Sequence, residues 1–424
     1  MSANPLAALL RRERASDSGA KPASGVVVAR PRPHLRALTG LRFLAAAHVF
    51  LYHTTAWRTW TTLLASKVVS TGYVAVGFFF LLSGFILTYA HAGPGAAWGP
   101  GPVVLGRVRR LGAADFYARR FARIYPAYLF ALALIAPTFL WHTYRTLGAA
   151  VLAQQSFPVL LLVQAFLPSV AMSWNPPAWS LSAEAFFYAL FPFVAPRLVA
   201  LERRGAVLAL LGLYALTFVG PLLYLGLAPD GPGAASHDTY SFWLNTLRYN
   251  PIVRLPEFLM GIVLGRLYLE SERHPAAQSV LRSTPAATAF SLGAALLILG
   301  SLVVSPSVPY PLLHNGLLAP AFALLIVSLA ANRGPLAAWL GSPPMVLLGE
   351  ASYSLYLIHI PLVVIWGKTV HALIGPRHVG TTLDFAAFSA FVLAGSIACY
   401  RFVERPLQAP VLAAISKLRR TSGT

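Results

Sequence analysis

The chain is poor in charge, and poorest in acid. Of 424 residues, 13 are Asp or Glu, and 11% carry any charge. A soluble domain has about 25% charged residues, so one soluble core is excluded. There is a single cysteine, Cys399, inside an apolar run. That excludes an intrachain disulfide and a cysteine-rich metal site, and no metal is expected. The first 36 residues hold no apolar core of signal-peptide type. No internal repeat of transporter type is visible.

What fills the sequence is apolar: 57% hydrophobic residues and a mean hydropathy of +0.64. Runs of spanning length lie near 41–60, 72–91, 124–141, 183–201, 206–226, 252–270, 285–305, 314–331, 351–372 and 382–403. The expected fold is all-α, a polytopic membrane helix bundle of about ten transmembrane helices. The net charge is +20. In a soluble protein this would suggest nucleic acid. Here the basic residues form short clusters between apolar runs, the signal that orients membrane proteins. The lipid bilayer is the expected surroundings, anionic lipid or a phosphorylated ligand a possible contact, and no nucleic acid is expected.

One further run, 150–168, is ambiguous, because it holds Gln154, Gln155, Pro158 and Gln164. If it does not cross, the positive clusters at 107–110, 119–123, 203–204, 273–282, 333 and 417–420 all fall on the side of the N-terminus. If it crosses, the later ones move to the other side. The positive-inside rule therefore predicts both termini in the cytoplasm and an interfacial or re-entrant 150–168. Three regions follow: a disordered basic cytoplasmic tail over 1–36, a membrane domain over 37–407 and a cytoplasmic tail over 408–424.

Polar groups inside apolar runs are costly and call for a reason. Residues 41–53 (LRFLAAAHVFLYH) carry Arg42 and His53, eleven positions apart. Eleven steps of about 100° end about 20° past three turns, so both share one helix face, ~16 Å apart along the axis. A cation near the surface and a deeper imidazole suit the two ends of one elongated ligand. A snorkelling Arg and a helix-packing His are the bland alternative. Glu184 opens the helix after the long loop 142–182, which places it on the outer side with His53. A carboxylate that orients an imidazole makes a base. Arg254 and Glu257, three apart, open another inward helix and can pair. On the inner side, FYARRFARIYP at 116–126 clusters Arg119, Arg120 and Arg123. The guanidinium fork suits phosphate, and a positive-inside anchor is the alternative. Ser352, Tyr356 and His359 recur at roughly helical spacing and can line one wall.

These pieces resemble acyltransferase family 3, an integral membrane family. The matching segments are the Arg42–ten residues–His53 motif, GYVAVGFFFLLSGF at 72–85, RRFARIYP at 119–126, WSLSAE at 179–184, RLPEFLMG at 254–261, SYSLYLIH at 352–359 and ERP at 404–406. They fall in the family's order and cover about 36–407. The hydrolase-like domain that some members carry after the membrane core is not expected in this chain. The resemblance implies acyl transfer, often of acetyl, from cytoplasmic acyl-CoA to a hydroxyl of a sugar or cell-envelope glycan, or of a small molecule. Acyl-CoA is then a donor substrate, with no permanently bound cofactor. The place is a cell membrane, inner or plasma.

The resemblance makes Arg42 and His53 the essential pair and the Arg119, Arg120 and Arg123 motif a CoA contact. Glu184 joins the catalytic set. Trp179, Ser180, Arg254, Glu257, Ser352, Tyr356 and His359 are assigned to substrate. His53 serves as general base, or forms an acyl-histidine. Two other classes remain open: a transporter or flippase using the same cleft, and a non-catalytic scaffold of a glycan-synthesis complex.

Overall fold

A computed structural model describes residues 33–54, 63–91, 112–272, 279–280, 283–374 and 379–421. The predicted tail over 1–36 lies outside these residues except for its last four, and Arg36 already begins a helix. Among the described residues every regular element is helical. Lipid offers no hydrogen-bond partners, so an apolar spanning chain must satisfy its backbone internally.

In chain order the helices are α1 (Arg36–His53), α2 (Leu63–Val69), α3 (Ala75–His91), α4 (Ala113–Leu160), α5 (Trp179–Val199), α6 (Arg203–Leu227), α7 (Phe242–Tyr249) and α8 (Pro251–Ser271). Then come α9 (Thr284–Val303), α10 (Tyr310–His314), α11 (Ala319–Ala330), α12 (Pro335–Leu340), α13 (Pro343–Glu350), α14 (Ser352–Ile374), α15 (Thr382–Cys399) and α16 (Arg405–Thr421). Eight helical stretches among the described residues are long and apolar enough to cross a membrane. Helices α1 and α8 are not among them, although both lie in spans expected from the sequence. They carry the polar residues singled out above. The outer faces of α6 and α9 expose Leu208, Leu211, Leu222, Leu223, Leu296 and Leu297, as lipid-facing surfaces do. The protein is a multi-pass membrane helix bundle.

Small residues let the central helices touch backbone to backbone, the usual route to tight packing in lipid. A Cβ on Gly84 of α3 would strike the Phe258 carbonyl of α8, and one on Gly261 would strike the Leu81 carbonyl. Gly40 of α1 meets the Leu340 carbonyl of α12 in the same way, and Gly349 of α13 meets Thr39. These contacts pin the end of α1 that carries Arg42.

The ambiguous run 150–168 does not continue outward. Helix α4 breaks at Gly148, where φ is +85°, a conformation that suits glycine. The limb beyond folds back along its own helix. Tyr128 donates to the Val159 carbonyl (2.6 Å) and Tyr125 to the Leu160 carbonyl (2.7 Å). The following loop turns into the bundle. Trp174 donates to the Leu132 carbonyl (3.1 Å), and Asn175 Nδ2 to the Leu357 carbonyl, in the second turn of α14 (2.9 Å). Helix α5 therefore starts deep.

Between α15 and α16 the chain makes one π-helical turn, Tyr400–Glu404. Such turns gather at functional sites, and here the turn carries the buried Glu404. The last helix, α16, is tied to the start of α4 by an ion pair from Arg419 to Asp115 (2.8 Å).

Candidate active site

Two cavities meet inside the bundle. The first, of about 180 Å³, is lined by Arg42, Arg120, Arg123, Ser83, Glu184, Tyr188, Ser352 and Tyr353 among others. The second, of about 570 Å³, is lined by His53, Tyr52, Tyr73, Trp179, Tyr249, Tyr310 and His314 among others. Val76 and Tyr356 line both. Tyr356 is held there by Ser180 Oγ (2.7 Å) and by donation to the Pro177 carbonyl (3.1 Å).

Helix α1 serves both chambers. Arg42 opens into the first and His53 into the second, as one helix stripe requires. No described residue accepts a hydrogen bond from the Arg42 guanidinium or forms an ion pair with it, so its donors remain for a ligand. Arg123 is different. Its Nη1 reaches Glu404 at 2.5 Å, and the other oxygen of Glu404 accepts from Ser354 (2.7 Å). Arg120 lies over the rings of Phe116 and Tyr188. Arg119 is exposed and does not line the cavity. The arginine motif thus divides: two members face the chamber and one faces out.

The imidazole of His53 has a defined proton arrangement. Its Nδ1 lies 3.0 Å from the Val49 carbonyl and 3.1 Å from Nε2 of His359. Nδ1 of His359 lies 3.1 Å from the Leu355 carbonyl. A carbonyl only accepts, so both Nδ1 atoms carry hydrogen. Nε2 of His359 is then a lone pair that accepts from His53. Nε2 of His53 is the lone pair left over, and the ring lines the second cavity. Phe50 packs edge-on against His359 at 6.3 Å. His48, on another face of α1, is bonded to the Val68 carbonyl (2.8 Å).

The structure corrects the expectation that Glu184 stands beside His53. Glu184 accepts from Ser83 (3.1 Å) and from Tyr188, and lines the chamber of Arg42. The depth estimate failed because the preceding loop dives into the bundle before α5 begins. His359, assigned above to substrate, stands behind His53 where the carboxylate was expected. Of the remaining residues given to substrate, Trp179 lines the second cavity, Ser352 the first, and Ser180 and Tyr356 the junction. Ser352 Oγ is spent on the Gly349 carbonyl (2.7 Å).

Arg254 and Glu257 do pair, at 2.9 Å, but line neither of these two cavities. Their contact with the second cavity runs through His314. Sequence reasoning missed His314 and assigned no role to Glu404. The signal for each was present: a histidine at the start of an apolar run, and an acid before Arg405-Pro406 at the end of another.

A family profile described as "Acyltransferase domain" matches residues 35–401. The chain is similar to acyltransferase MdmB of Streptomyces mycarofaciens, with 27% identity over 91% of this chain and 93% of that protein. It is similar to O-acetyltransferase OatA of Staphylococcus aureus, with 23% identity over 92% of this chain and 60% of that protein. It is also similar to exopolysaccharide production protein ExoZ of Rhizobium meliloti, with 28% identity over 79% of this chain and 89% of that protein. No solved structure matches.

Proposed function

The chain belongs to acyltransferase family 3, and we propose that it moves an acyl group, acetyl foremost, from cytoplasmic acyl-CoA to a hydroxyl of a sugar or cell-envelope glycan. The membrane is the cell's inner or plasma membrane. The observation that carries the reading is the pair of chambers joined at Tyr356, with an unpartnered Arg42 in one and the free lone pair of His53 in the other. The names of the similar acyltransferase MdmB and O-acetyltransferase OatA support acyl and O-acetyl transfer. The name of ExoZ supports a polysaccharide context.

In this reading the phosphates of acyl-CoA rest near Arg120, Arg123 and Arg42, where charge-assisted bonds are strong. The pantetheine arm passes Tyr356, and the thioester meets the acceptor beside His53. Nε2 of His53 takes the hydroxyl proton as the oxygen bonds to the thioester carbon. The C–S bond breaks, and the imidazolium returns the proton to the departing sulfur. His359 accepts from Nδ1–H of His53 throughout and holds the ring in this tautomer. A positioned base of this kind contributes about 10²–10⁴-fold.

The test is CoA release from labelled acetyl-CoA by purified protein in nanodiscs, with a panel of cell-envelope glycans. Acceptor-dependent release, abolished in a folded His53→Ala variant, is the expected result. No release with any donor and acceptor would favour a transporter. Release that survives the substitution would end the assignment of His53.

A further inference from the structure

The chamber of His53 holds a buried cation that the mechanism above leaves unused. Arg248 lies near the end of α7, is 2% exposed and lines the cavity wall. Its Nη1 donates to the Thr239 carbonyl (2.6 Å) and to Asn245 Oδ1 (3.5 Å), and its Nη2 to the Ser236 carbonyl (2.6 Å). Nε has no partner. The Tyr310 ring covers the guanidinium at 4.8 Å, Tyr240 lies at 6.0 Å, and the Tyr249 hydroxyl stands beside it. Carbonyl dipoles and ring faces soften the cost of burying a charge, but none of them is an anion.

Arg254, the other guanidinium next to this chamber, is the contrast. It is 1% exposed and has a carboxylate of its own, Glu257 at 2.9 Å, besides Asn315 Oδ1 (2.8 Å), His314 Nδ1 (2.8 Å) and the His314 carbonyl (2.5 Å). Among the described residues no carboxylate forms an ion pair with Arg248. Asp238 also lines the cavity, but it faces His237 (3.2 Å) and its side chain is 81% exposed. Water screens a charge in that position, whereas a buried guanidinium keeps its field. A buried charge without a counter-charge is costly and calls for a reason. Hydroxyls complete the setting. Tyr52, Tyr73 and Tyr310 line the same cavity, and among the described residues nothing hydrogen-bonds their hydroxyls. A phenol can donate, so a cation and three available donors border one space of about 570 Å³.

We infer that Arg248 is a specificity residue: it answers an oxyanion carried by the acceptor, a carboxylate or a phosphate, while the reacting hydroxyl of the same acceptor lies at His53. The acceptor class is then an acidic sugar or a sugar phosphate. The tyrosine hydroxyls supply the hydrogen bonds that such a group takes besides its ion pair. The inference rests on the acyl-transfer reading, in which this chamber takes the acceptor. A neutral glycan would leave the buried cation unanswered and would be disfavoured.

The experiment uses the full chain in nanodiscs on a glycan array of matched sets. Each set holds one oligosaccharide in neutral form, with a uronic acid in place of one sugar, and with a phosphate on one sugar. CoA release from labelled acetyl-CoA is followed with the same glycans. Wild type should bind an anionic member at least tenfold more tightly than its neutral parent and show the same preference in kcat/KM. Which anionic member leads tells a carboxylate ligand from a phosphate. Arg248→Gln keeps a donor for the loop carbonyls and removes the charge. It should bring the ratio near one by raising the KM of the anionic acceptor, with the KM for acetyl-CoA unmoved. Arg248→Lys keeps the charge and loses the forked bonds to Ser236 and Thr239. It should retain most of the preference. A preference that survives in Arg248→Gln, or is lost in Arg248→Lys, would reduce Arg248 to holding the loop and overturn the inference. Equal binding of neutral and anionic members by wild type, or binding of none, would overturn it too. CoA release persisting in those cases would leave acyl transfer standing. Anion-selective binding without release from any acceptor would remove acyl transfer instead.

Discussion

Replacing His359 by Phe isolates what the second imidazole does for the first. The substitution keeps an aromatic ring against Phe50 and removes the Nε2 that accepts from His53 at 3.1 Å. Val49 O then remains as the one partner of Nδ1 among those described. The bond to His359 matters most when His53 is charged, and a hydrogen bond to a charged group is worth about 1.5–3 kcal/mol. At 1.36 kcal/mol per tenfold in rate, kcat should fall about 13- to 160-fold. The KM for acetyl-CoA should not move, because the arginine chamber is untouched. His53→Ala should cost more, in the range of about 10²–10⁴-fold. The double variant should be no slower than His53→Ala alone, since residues acting as one unit are not additive. His359→Gln, which offers an amide oxygen, should recover part of the rate. Single-turnover acetyl transfer in nanodiscs measures all four. Losses that multiply in the double variant, or a His359→Phe defect confined to the KM for acetyl-CoA, would refute the positioning role.

Two further outcomes concern the scaffold. Gly261→Leu should lower the unfolding temperature markedly, because its Cβ would strike the Leu81 carbonyl, and overpacking typically costs about 1–3 kcal/mol. Gly212→Leu, with nothing within 4 Å, should leave it unchanged; equal melting of the two variants would contradict the packing account. Asp230, in the loop before α7, is pushed up by burial, but donation from Ser241, the Leu244 and Trp243 amides and Tyr224 outweighs this and holds it below 3.8. A depressed carboxylate stabilises above its ordinary value and loses that contribution as pH falls through the depressed one. Hydrogen exchange in 228–249 should therefore rise below pH 3.8 in wild type. Asp230→Asn should show the raised exchange without that pH dependence.

Features set by local periodicity were legible in the sequence. The Arg42–His53 stripe and the Arg254–Glu257 pair depend on helix geometry alone, and both appear as expected. The apolar runs gave the all-α membrane class. Charge counting left 150–168 out of the crossings, and the Gly148 break supplies the reason. Depth was less legible. Glu184 was placed on the outer side because its helix follows an outer loop, and nothing local says how far Asn175 carries that loop inward. Pairings across the chain were hidden altogether. Arg254 meets His314 sixty positions on, and Arg123 meets Glu404 after 281. A histidine at the edge of an apolar run reads as a cap until the helices are assembled around it.

The junction at Tyr356 has an electrical consequence. The side chain that separates the two chambers, tied to Ser180 and Pro177, acts as insulation. If each chamber is wet from its own side, most of the membrane voltage drops across that thin layer rather than across the full bilayer. One elementary charge crossing 100 mV exchanges about 2.3 kcal/mol. An acyl group is neutral, so its passage past Tyr356 draws nothing from the voltage. In the proposed reading Arg42, Arg120, Arg123 and the CoA phosphates stay on one side of the layer and His53 on the other. On that reading group transfer should proceed at the same rate in energised and de-energised vesicles.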